Sequence, residues 1–320
     1  MNIAISRNFS WKNSAISLLI GTALTALRPP AAEGAETAAF LKISPGARPI
    51  AMGEAFTAVA DDLNALAWNP AGLAQMGRRE TAFMHAELFA DTRYDFLGYA
   101  HPLPGPLRGT AALGLARLSQ GDLEGRDESR RPTGSFTASD TAFQLALGSR
   151  LGSGPMLGAS IKYLQSKIGG AQAEGLSLDL GVLKPFRLSE APVSVGLSVL
   201  NLGPGLRFAE RSDDLPLTVS LGAGLGILSS MRLAADYRHR PRSGASQFGL
   251  GTEYSLLPAL TLRAGYAARL EKVPAASGAG AFMGMGMGFG LRLGRAALDY
   301  SFTPAGELGH AQRLSLSTRF

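Results

Sequence analysis

The sequence predicts an all-β fold, a transmembrane antiparallel β-barrel of about fourteen strands with a short, partly helical N-terminal plug. Three observations predict it: the composition, a period-2 alternation of apolar residues, and the alternation of long and short connections. Glycine supplies 40 of the 320 residues, well above its usual share of about 7%. Charged residues make up 18% and hydrophobic residues 46%, which argues against disorder. This composition is common in β-barrels and unusual in soluble enzymes, and the absence of cysteine excludes disulfides and thiolate chemistry.

The first 35 residues differ from the rest of the chain. Arg7 and Lys12 precede an apolar run over residues 15–27, and small residues follow it. The run is too short for a membrane-spanning helix, which needs about 20 residues. Residues 1–35 are therefore predicted to be a secretory signal peptide, with a buried N-terminal helix as the alternative. An exported chain with this strand pattern is expected in the bacterial outer membrane.

Apolar residues alternate with small or polar ones from about residue 80 to the end. In residues 217–227 and 283–294, Leu, Val, Ile, Met and Phe occupy one face, and glycines fill much of the other. A helix would mix the two sets on every turn, so these segments are strands. The glycines of the second face are Gly222, Gly224, Gly226, Gly284, Gly286, Gly288 and Gly290.

Fourteen strands are predicted, near 80–90, 93–103, 108–118, 137–150, 155–166, 174–185, 191–201, 215–228, 231–240, 246–256, 259–269, 283–293, 295–303 and 310–320. The even number and the lengths suit strands that cross a membrane. Long connections are predicted at 119–136, 167–173, 202–214 and 270–282, and short ones at 151–154, 229–230, 257–258 and 294. Long outer loops that alternate with short periplasmic turns are typical of outer-membrane barrels.

Charged residues interrupt the apolar pattern within single strands. Lys162, Asp179, Asp236, Glu253 and Arg263 each lie between apolar or small neighbours. In a barrel they would face a polar lumen, whereas a soluble sandwich would place them in solvent.

The last strand alternates and stops at Phe320. A terminal aromatic residue resembles the C-terminal signature by which bacterial barrels are recognised for assembly, so Phe320 is predicted to be an assembly signal. An ordinary edge strand that happens to end in phenylalanine is the alternative.

Residues 36–79 do not alternate and are predicted to form the plug. Asp61 or Asp62 is expected to cap a short helix or to pair with a lumen arginine, and Asn69 before Pro70 predicts a break. Because glycine removes packing surface from a strand, the seven glycines are predicted to face the plug where its backbone comes close. Relief of crowding in a curved sheet is the alternative. Trp68 and Asn69 are expected near the periplasmic side.

This segment also carries a family resemblance. The blocks 46–48, 52–62 and 68–74 closely resemble the PorV/PorQ family, which is similar to FadL, a fourteen-stranded barrel plugged by its N-terminal segment. The resemblance continues at 199–203, 215–217, 251–254, 263–266 and 299–302. It implies an outer-membrane protein that either carries hydrophobic molecules inward or receives cargo of a type IX secretion system. The matching positions in the N-terminal segment are Gly46, Arg48, Met52, Gly53, Ala55, Asp61, Asp62, Trp68, Asn69, Pro70, Gly72 and Leu73.

No catalytic constellation, metal site or cofactor motif is found. The four histidines lie in separate segments, and the glycine runs are strand faces rather than phosphate loops. The scattered basic residues do not predict nucleic-acid binding. The sequence thus predicts a non-enzyme, with outer-membrane lipid, the barrel assembly machinery and a hydrophobic small molecule or a secreted protein cargo as partners. Three hypotheses remain: transport, docking of secreted cargo through the mixed-charge loops 119–136 and 202–214, and a purely structural barrel.

Overall fold

The computed structural model describes residues 37–89, 91–105, 109–127, 129–208, 211–270, 283–306 and 309–320. The predicted signal peptide lies outside these residues. In the described chain, fourteen antiparallel strands close into a barrel in which neighbours in sequence are neighbours in the sheet, and the first strand pairs with the last. The fold class predicted from the alternation is confirmed.

The described chain contains sixteen strands, numbered in chain order, two of which lie outside the barrel sheet. β8 and β9 form a separate two-stranded hairpin, so that β7 pairs with β10. The strands are β1 (Glu80–Glu87), β2 (Thr92–Leu103), β3 (Gly109–Arg126), β4 (Pro132–Arg150), β5 (Met156–Ile168), β6 (Ala171–Leu188), β7 (Ala191–Leu202), β8 (Leu206–Phe208), β9 (Arg211–Asp213), β10 (Thr218–Leu228), β11 (Met231–Arg240), β12 (Ala245–Leu257), β13 (Leu260–Arg269), β14 (Met285–Leu293), β15 (Ala296–Pro304) and β16 (His310–Arg319).

The two ends of the barrel differ. We call the end that carries the start of β1 and the end of β16 the turn end, because tight connections such as 229–230, 258–259 and 294–295 lie there. The opposite loop end carries the β8–β9 hairpin. Two predicted long loops were wrong. Most of 119–136 is strand, because β3 and β4 continue as a paired ribbon to Arg126 and Pro132. Residues 167–173 reduce to the turn 169–170, where Gly169 has φ 57°.

The barrel wall is apolar outside and polar inside. On β10, Leu221 is 58% exposed on the outer face, while its neighbours Ser220 and Gly222 are buried. The predicted lumen residues Lys162, Asp179 and Asp236 are buried inside the barrel. The described residues include no helix with the length and apolar character needed to cross a bilayer.

Residues 37–79, called the N-terminal segment below, are built from four short helices. Two are 3₁₀ helices, Ala39–Lys42 and Pro70–Gln75, and two are α-helices, α1 (Ala47–Ala51) and α2 (Ala65–Trp68).

The predicted break at Asn69 is observed, because Asn69 is extended and its side-chain oxygen accepts a hydrogen bond from the Ala71 amide at 3.1 Å. The predicted aspartate cap is wrong. α2 begins after Asn64 without a side-chain cap, and Asp62 instead accepts a hydrogen bond from the Asn64 amide.

Candidate functional site

The N-terminal segment lies inside the barrel and fills the middle of its lumen. Met52, Phe56, Leu66 and Trp68 are at most 1% exposed. The Trp68 ring meets Phe56 edge-on with centroids 6.0 Å apart, and its Nε1 donates a hydrogen bond to the Pro45 carbonyl at 3.1 Å. Aromatic rings bury large apolar areas, so Trp68 is the centre of this packing.

The structure contradicts the expected position of Trp68. The Arg238 guanidinium lies 4.6 Å from the centroid of the Trp68 ring, and Arg238 is close to the loop end of β11. Trp68 therefore lies in the loop-end half, because the segment crosses the lumen before it turns back. After Trp68 the chain returns toward the turn end. Asn69 Nδ2 donates to the Val182 carbonyl on β6, and in the next helix, Pro70–Gln75, Leu73 packs against Gly148 near the end of β4.

Glycines of the wall form a belt around the segment. A Cβ added to any of them would contact the segment; at Gly148 it would lie 2.8 Å from Leu73 Cβ, and at Gly158 and Gly265 it would overlap the segment backbone. The belt lies on ten of the fourteen barrel strands as described, and many of its members are cross-strand partners, such as Gly98 with Gly114. We define the glycine belt as Gly98, Gly114, Gly148, Gly158, Gly181, Gly196, Gly222, Gly224, Gly249, Gly251, Gly265, Gly286 and Gly288.

The seven glycines singled out from the sequence divide into two groups. Gly222, Gly224, Gly286 and Gly288 contact the segment, at Thr57, Val59, Ile50 and Ala51 respectively. The other three do not. A Cβ on Gly226 would meet Pro192, one on Gly290 would meet Arg263 and Asp299, and Gly284, with φ 91°, serves a turn. These three positions correct the prediction, because both glycine tracts extend beyond the part of the strand that the segment covers.

Polar side chains of the wall bind the segment's backbone. Asp236 accepts hydrogen bonds from the Phe56 and Thr57 amides at 2.9 and 2.7 Å. Gln144 donates to the Leu66 carbonyl at 2.7 Å. In the opposite direction, Asn69 Nδ2 of the segment donates to the Val182 carbonyl of the wall, and also to the Thr57 carbonyl of the segment itself. Buried backbone groups need such partners, so the wall is matched to this one path of the chain.

A charged cluster joins the segment to the turn-end half of the wall. Arg48 donates to Asp61 and Asp62 of the segment at 2.5 and 2.8 Å, and its Nε and Nη2 form a fork with Glu253 of β12 at 2.8 and 3.0 Å. Asp61 also pairs with Arg232 of β11 at 2.9 Å. On the wall, Arg263 pairs with Glu253 and Asp299. The charged cluster consists of Arg48, Asp61, Asp62, Arg232, Glu253, Arg263 and Asp299.

The two aspartates of the segment have different electrostatic environments. Burial opposes ionisation of Asp61, but Arg48 and Arg232 outweigh it and hold the pKa of Asp61 below its ordinary value. Burial raises the pKa of Asp62, with the charge of Asp61 adding to the rise and Arg48 opposing it. Burial would lower the pKa of Arg48, yet Asp61, Glu253 and Asp62 together raise it. Arg48 therefore stays charged and compensates both carboxylates.

Cavities lie on both sides of the packed middle. The one near residues 40–45 has a volume of about 50 Å³, well below the roughly 150 Å³ of an apolar cavity that binds benzene. At the turn end a wider cavity of about 490 Å³, here called the vestibule, lies beneath the charged cluster and is lined by polar side chains. No ligand-sized space crosses the packed residues around Trp68 in the described chain.

The remaining segment positions predicted from the sequence all take part in this packing. Gly46 has φ 98° and precedes α1, and a Cβ there would overlap the Asn64 side chain. Gly53, with φ 59°, packs against the backbone of β13. Gly72 lies against the Ala60 backbone, and Ala55 and Pro70 are buried. Phe320 is 52% exposed, and its amide donates to the Arg79 carbonyl.

No group of side chains among the described residues is arranged to hold a metal ion. Three histidines have other partners: His85 pairs with Asp95, His101 contacts Tyr99, and His239 contacts Ser246.

Several functional contacts were missed from the sequence. Nine of the belt glycines were not singled out: seven, such as Gly98 and Gly181, are the single belt member of their strand, and Gly249 and Gly251 form only a pair on β12. The signal that could have found them is their position in the alternation, since each belongs to the lumen-facing set of its strand. Gln144 likewise stands at an inward position between two apolar neighbours.

Comparison with known proteins gives the family. The model of the uncharacterised protein family UPF0164 matches residues 22–239, which include the whole N-terminal segment and the strands as far as β11. The chain belongs to this family. No curated protein matches the sequence.

Solved structures share the fold at low sequence identity. A TodX monoaromatic hydrocarbon channel mutant superposes with a TM-score of 0.61 at 13% identity, covering 87% of this chain and 99% of the other. The toluene transporter TbuX of Ralstonia pickettii gives 0.58 at 13% identity, covering 87% and 98%. A FadL homologue of Pseudomonas aeruginosa gives 0.52 at 11% identity, covering 86% and 98%. The UPF0164 chain therefore has the FadL-like barrel fold.

Proposed function

We propose that this UPF0164 protein is a non-enzymatic outer-membrane channel for hydrophobic small molecules, and that the N-terminal segment is a plug that must move for a ligand to pass. The observation that carries the proposal is a closed barrel whose lumen is filled by one chain segment held against a glycine belt. Solved structures with this fold include a monoaromatic hydrocarbon channel and a toluene transporter, which supports the ligand class.

The wall supports a membrane location. Large apolar side chains such as Leu113, Leu145 and Leu250 are about half exposed on the outer face, a pattern that is unfavourable in water and favourable in lipid. In the proposed orientation the turn end faces the periplasm, since short turns lie there in bacterial barrels. The exposed Phe320 ends the closing strand, and we propose that it is the assembly signal.

A closed barrel in the outer membrane should show heat-modifiable migration. We expect the protein to fractionate with outer membranes and to migrate faster in gels before boiling than after, because the barrel resists detergent until it is heated. Recovery in the soluble periplasmic fraction with a single migration position would contradict the location.

An engineered disulfide can fix the plug to the wall. Because the chain has no cysteine of its own, two introduced cysteines can pair only with each other within one molecule. A Cβ on Gly224 would lie 2.6 Å from Val59 Cγ1, and its other close neighbour is the rotatable Ser194 hydroxyl. Replacing both residues by cysteine (V59C/G224C) places two thiols at close to disulfide spacing. We expect oxidised V59C/G224C to lose toluene uptake in a bacterial host without its own hydrocarbon channel, and the reductant-treated protein to regain it.

The single variant V59C, which keeps Gly224, serves as the control and should transport toluene under oxidising and reducing conditions alike. Equal uptake by the locked and unlocked double variant would show that the segment need not move. No uptake by the wild-type protein, with the barrel correctly inserted, would contradict the proposed ligand class.

Membership of PorV/PorQ and a role in type IX secretion remain predictions. The surface that would serve docking is the ribbon formed by β3 and β4 beyond Gln120 and Ala138, where neither strand has a third partner. We favour transport, because docking gives no reason for a glycine belt around a buried segment.

A further inference from the structure

The turn end carries an arginine-rich mouth that neither transport nor the plug explains. Seven arginines and five carboxylates of the described chain line the vestibule. Arg48, Arg232, Arg263 and Arg319 pair with the carboxylates. Arg78, Arg292 and Arg295 make no side-chain hydrogen bond or ion pair with any residue that the structure describes. Arginines that are unpaired at a cavity mouth are available to an anionic ligand.

The arginines follow the rim in a row. The Phe320 amide donates to Arg79 O, the Arg319 amide donates to Arg295 O, and Arg292 precedes Arg295 across the tight turn between β14 and β15. The row therefore crosses β1, β16, β15 and β14 in order. Three strand spacings make it roughly 14 Å long. Arg78, Arg79, Arg292, Arg295 and Arg319 are all exposed.

The length of the row indicates the kind of ligand. A single phosphate or carboxylate can contact one or two guanidinium groups, and the rest of the row would stay empty. In an extended peptide, side chains of one face repeat about every 6.8 Å, so two or three alternate acidic residues match the row. Arg292 and Arg319 occupy lumen-facing strand positions, and the vestibule continues inward to Arg48, which disfavours lipid headgroups, since these lie around the outside of the wall.

We propose that the vestibule rim, consisting of Arg78, Arg79, Arg292, Arg295 and Arg319, binds an extended acidic segment of a periplasmic protein. Alternate carboxylates of that segment pair with Arg78, Arg292 and Arg295, for which bidentate guanidinium–carboxylate pairing gives both charge and geometry. Given the proposed orientation, this face is presented to the periplasm. The contact needs no passage through the lumen.

Fluorescence anisotropy of the purified, detergent-solubilised protein tests the site. The probe is a fluorescein-labelled peptide of Asp-Ser repeats, with Asn-Ser repeats as the neutral control. We expect the acidic peptide alone to bind, and the double variant R292Q/R295Q to bind it about tenfold more weakly. Neither side chain has a partner in the described chain, so the variant is expected to fold, and heat-modifiable migration checks this.

The matched control is K184Q/R187Q, which removes two exposed positive charges from the same end of the barrel, on β6. It should change the affinity less than twofold. An equal loss in both variants would show a diffuse charge effect and overturn the site. Two competition results would also overturn the proposed peptide site. Displacement of the peptide by inorganic phosphate at the same concentration of negative charge would indicate a small-anion site, and displacement by phosphatidylglycerol in mixed micelles would indicate a lipid site. Toluene uptake is unaffected by any of these results, so the two proposals fail separately.

Discussion

Replacing Gly286 by leucine is expected to displace the plug and open the barrel. A Cβ at Gly286 would overlap the Ile50 carbonyl and lie 3.3 Å from Ala51 Cα, and the rest of the leucine side chain has no space beyond it. Overpacking of a well-packed interior costs about 1–3 kcal/mol, and here the cost falls on the contact between segment and wall. The outer face of β14 is untouched, so the barrel should still insert.

Two measurements report the displacement of the plug. In a planar bilayer, G286L should show steady conductance where the wild-type protein is closed. Chymotrypsin should cleave after Phe56, which is fully buried in the wild-type protein. The matched control is G121L, since Gly121 lies on β3 with open space around its Cβ position. A closed, protease-resistant G286L that folds normally would show that the segment does not need this contact.

The barrel strands could be predicted from the sequence because the alternation that marks each strand depends only on the residues of that strand. Alternation at β10 and β14 follows from lipid on one side and lumen on the other, and each strand repeats that rule without knowledge of its neighbours. The ribbon of β3 and β4 was missed for the same reason. Residues 119–126 and 132–136 contain only two large apolar residues, Leu123 and Phe136, and such a segment shows no clear alternation that would separate it from a loop.

The path of the N-terminal segment was not predictable from local pattern. Trp68 was placed at the wrong end because proximity in sequence to β1 suggested proximity in space, whereas cation–π contact with Arg238 and packing on Phe56 hold its ring in the loop-end half. The pairing of Asp61 with a lumen arginine was among the sequence alternatives, but its partners Arg48 and Arg232 come from the segment and from β11. Only the closed barrel brings them together.

The glycine belt and the charged cluster hold the plug in different ways. The belt gives shape, because close backbone approach is possible only where the wall has no side chains. The cluster gives charge compensation, which depends on Arg48. The belt has many members that share the contact, whereas Arg48 has no substitute within the segment.

Substitution of Arg48 by methionine should therefore release the plug at neutral pH. Methionine keeps much of the packing but leaves Asp62 without a direct ion pair among the described residues, and Glu253 with Arg263 and the more distant Arg232. Removing one partner from a buried ion pair costs about 3–5 kcal/mol. We expect conductance and cleavage after Phe56 to appear in R48M as in G286L, while R48K, which keeps the charge but not the fork to Glu253, should have a smaller effect.

The pH dependence distinguishes charge from shape. In the wild-type protein, the lowered pKa of Asp61 means that its pairing stabilises the closed state above the ordinary aspartate pKa, and that this stability is lost as the pH falls through the lowered value. In R48M the sign reverses. Burial already raises the pKa of Asp62. Without Arg48, the charge of Arg319, which forms no direct ion pair with Asp62, is the cation that still opposes this rise, so the closed state binds more protons than the released state. Acidification from neutral pH should then reclose R48M as Asp62 takes up a proton, and R48M/D62N should stay closed at neutral pH. G286L, whose defect is steric, should conduct at both pH values. An R48M barrel that is closed at neutral pH, or that opens further in acid, would show that Arg48 does not hold the plug by compensating these carboxylates.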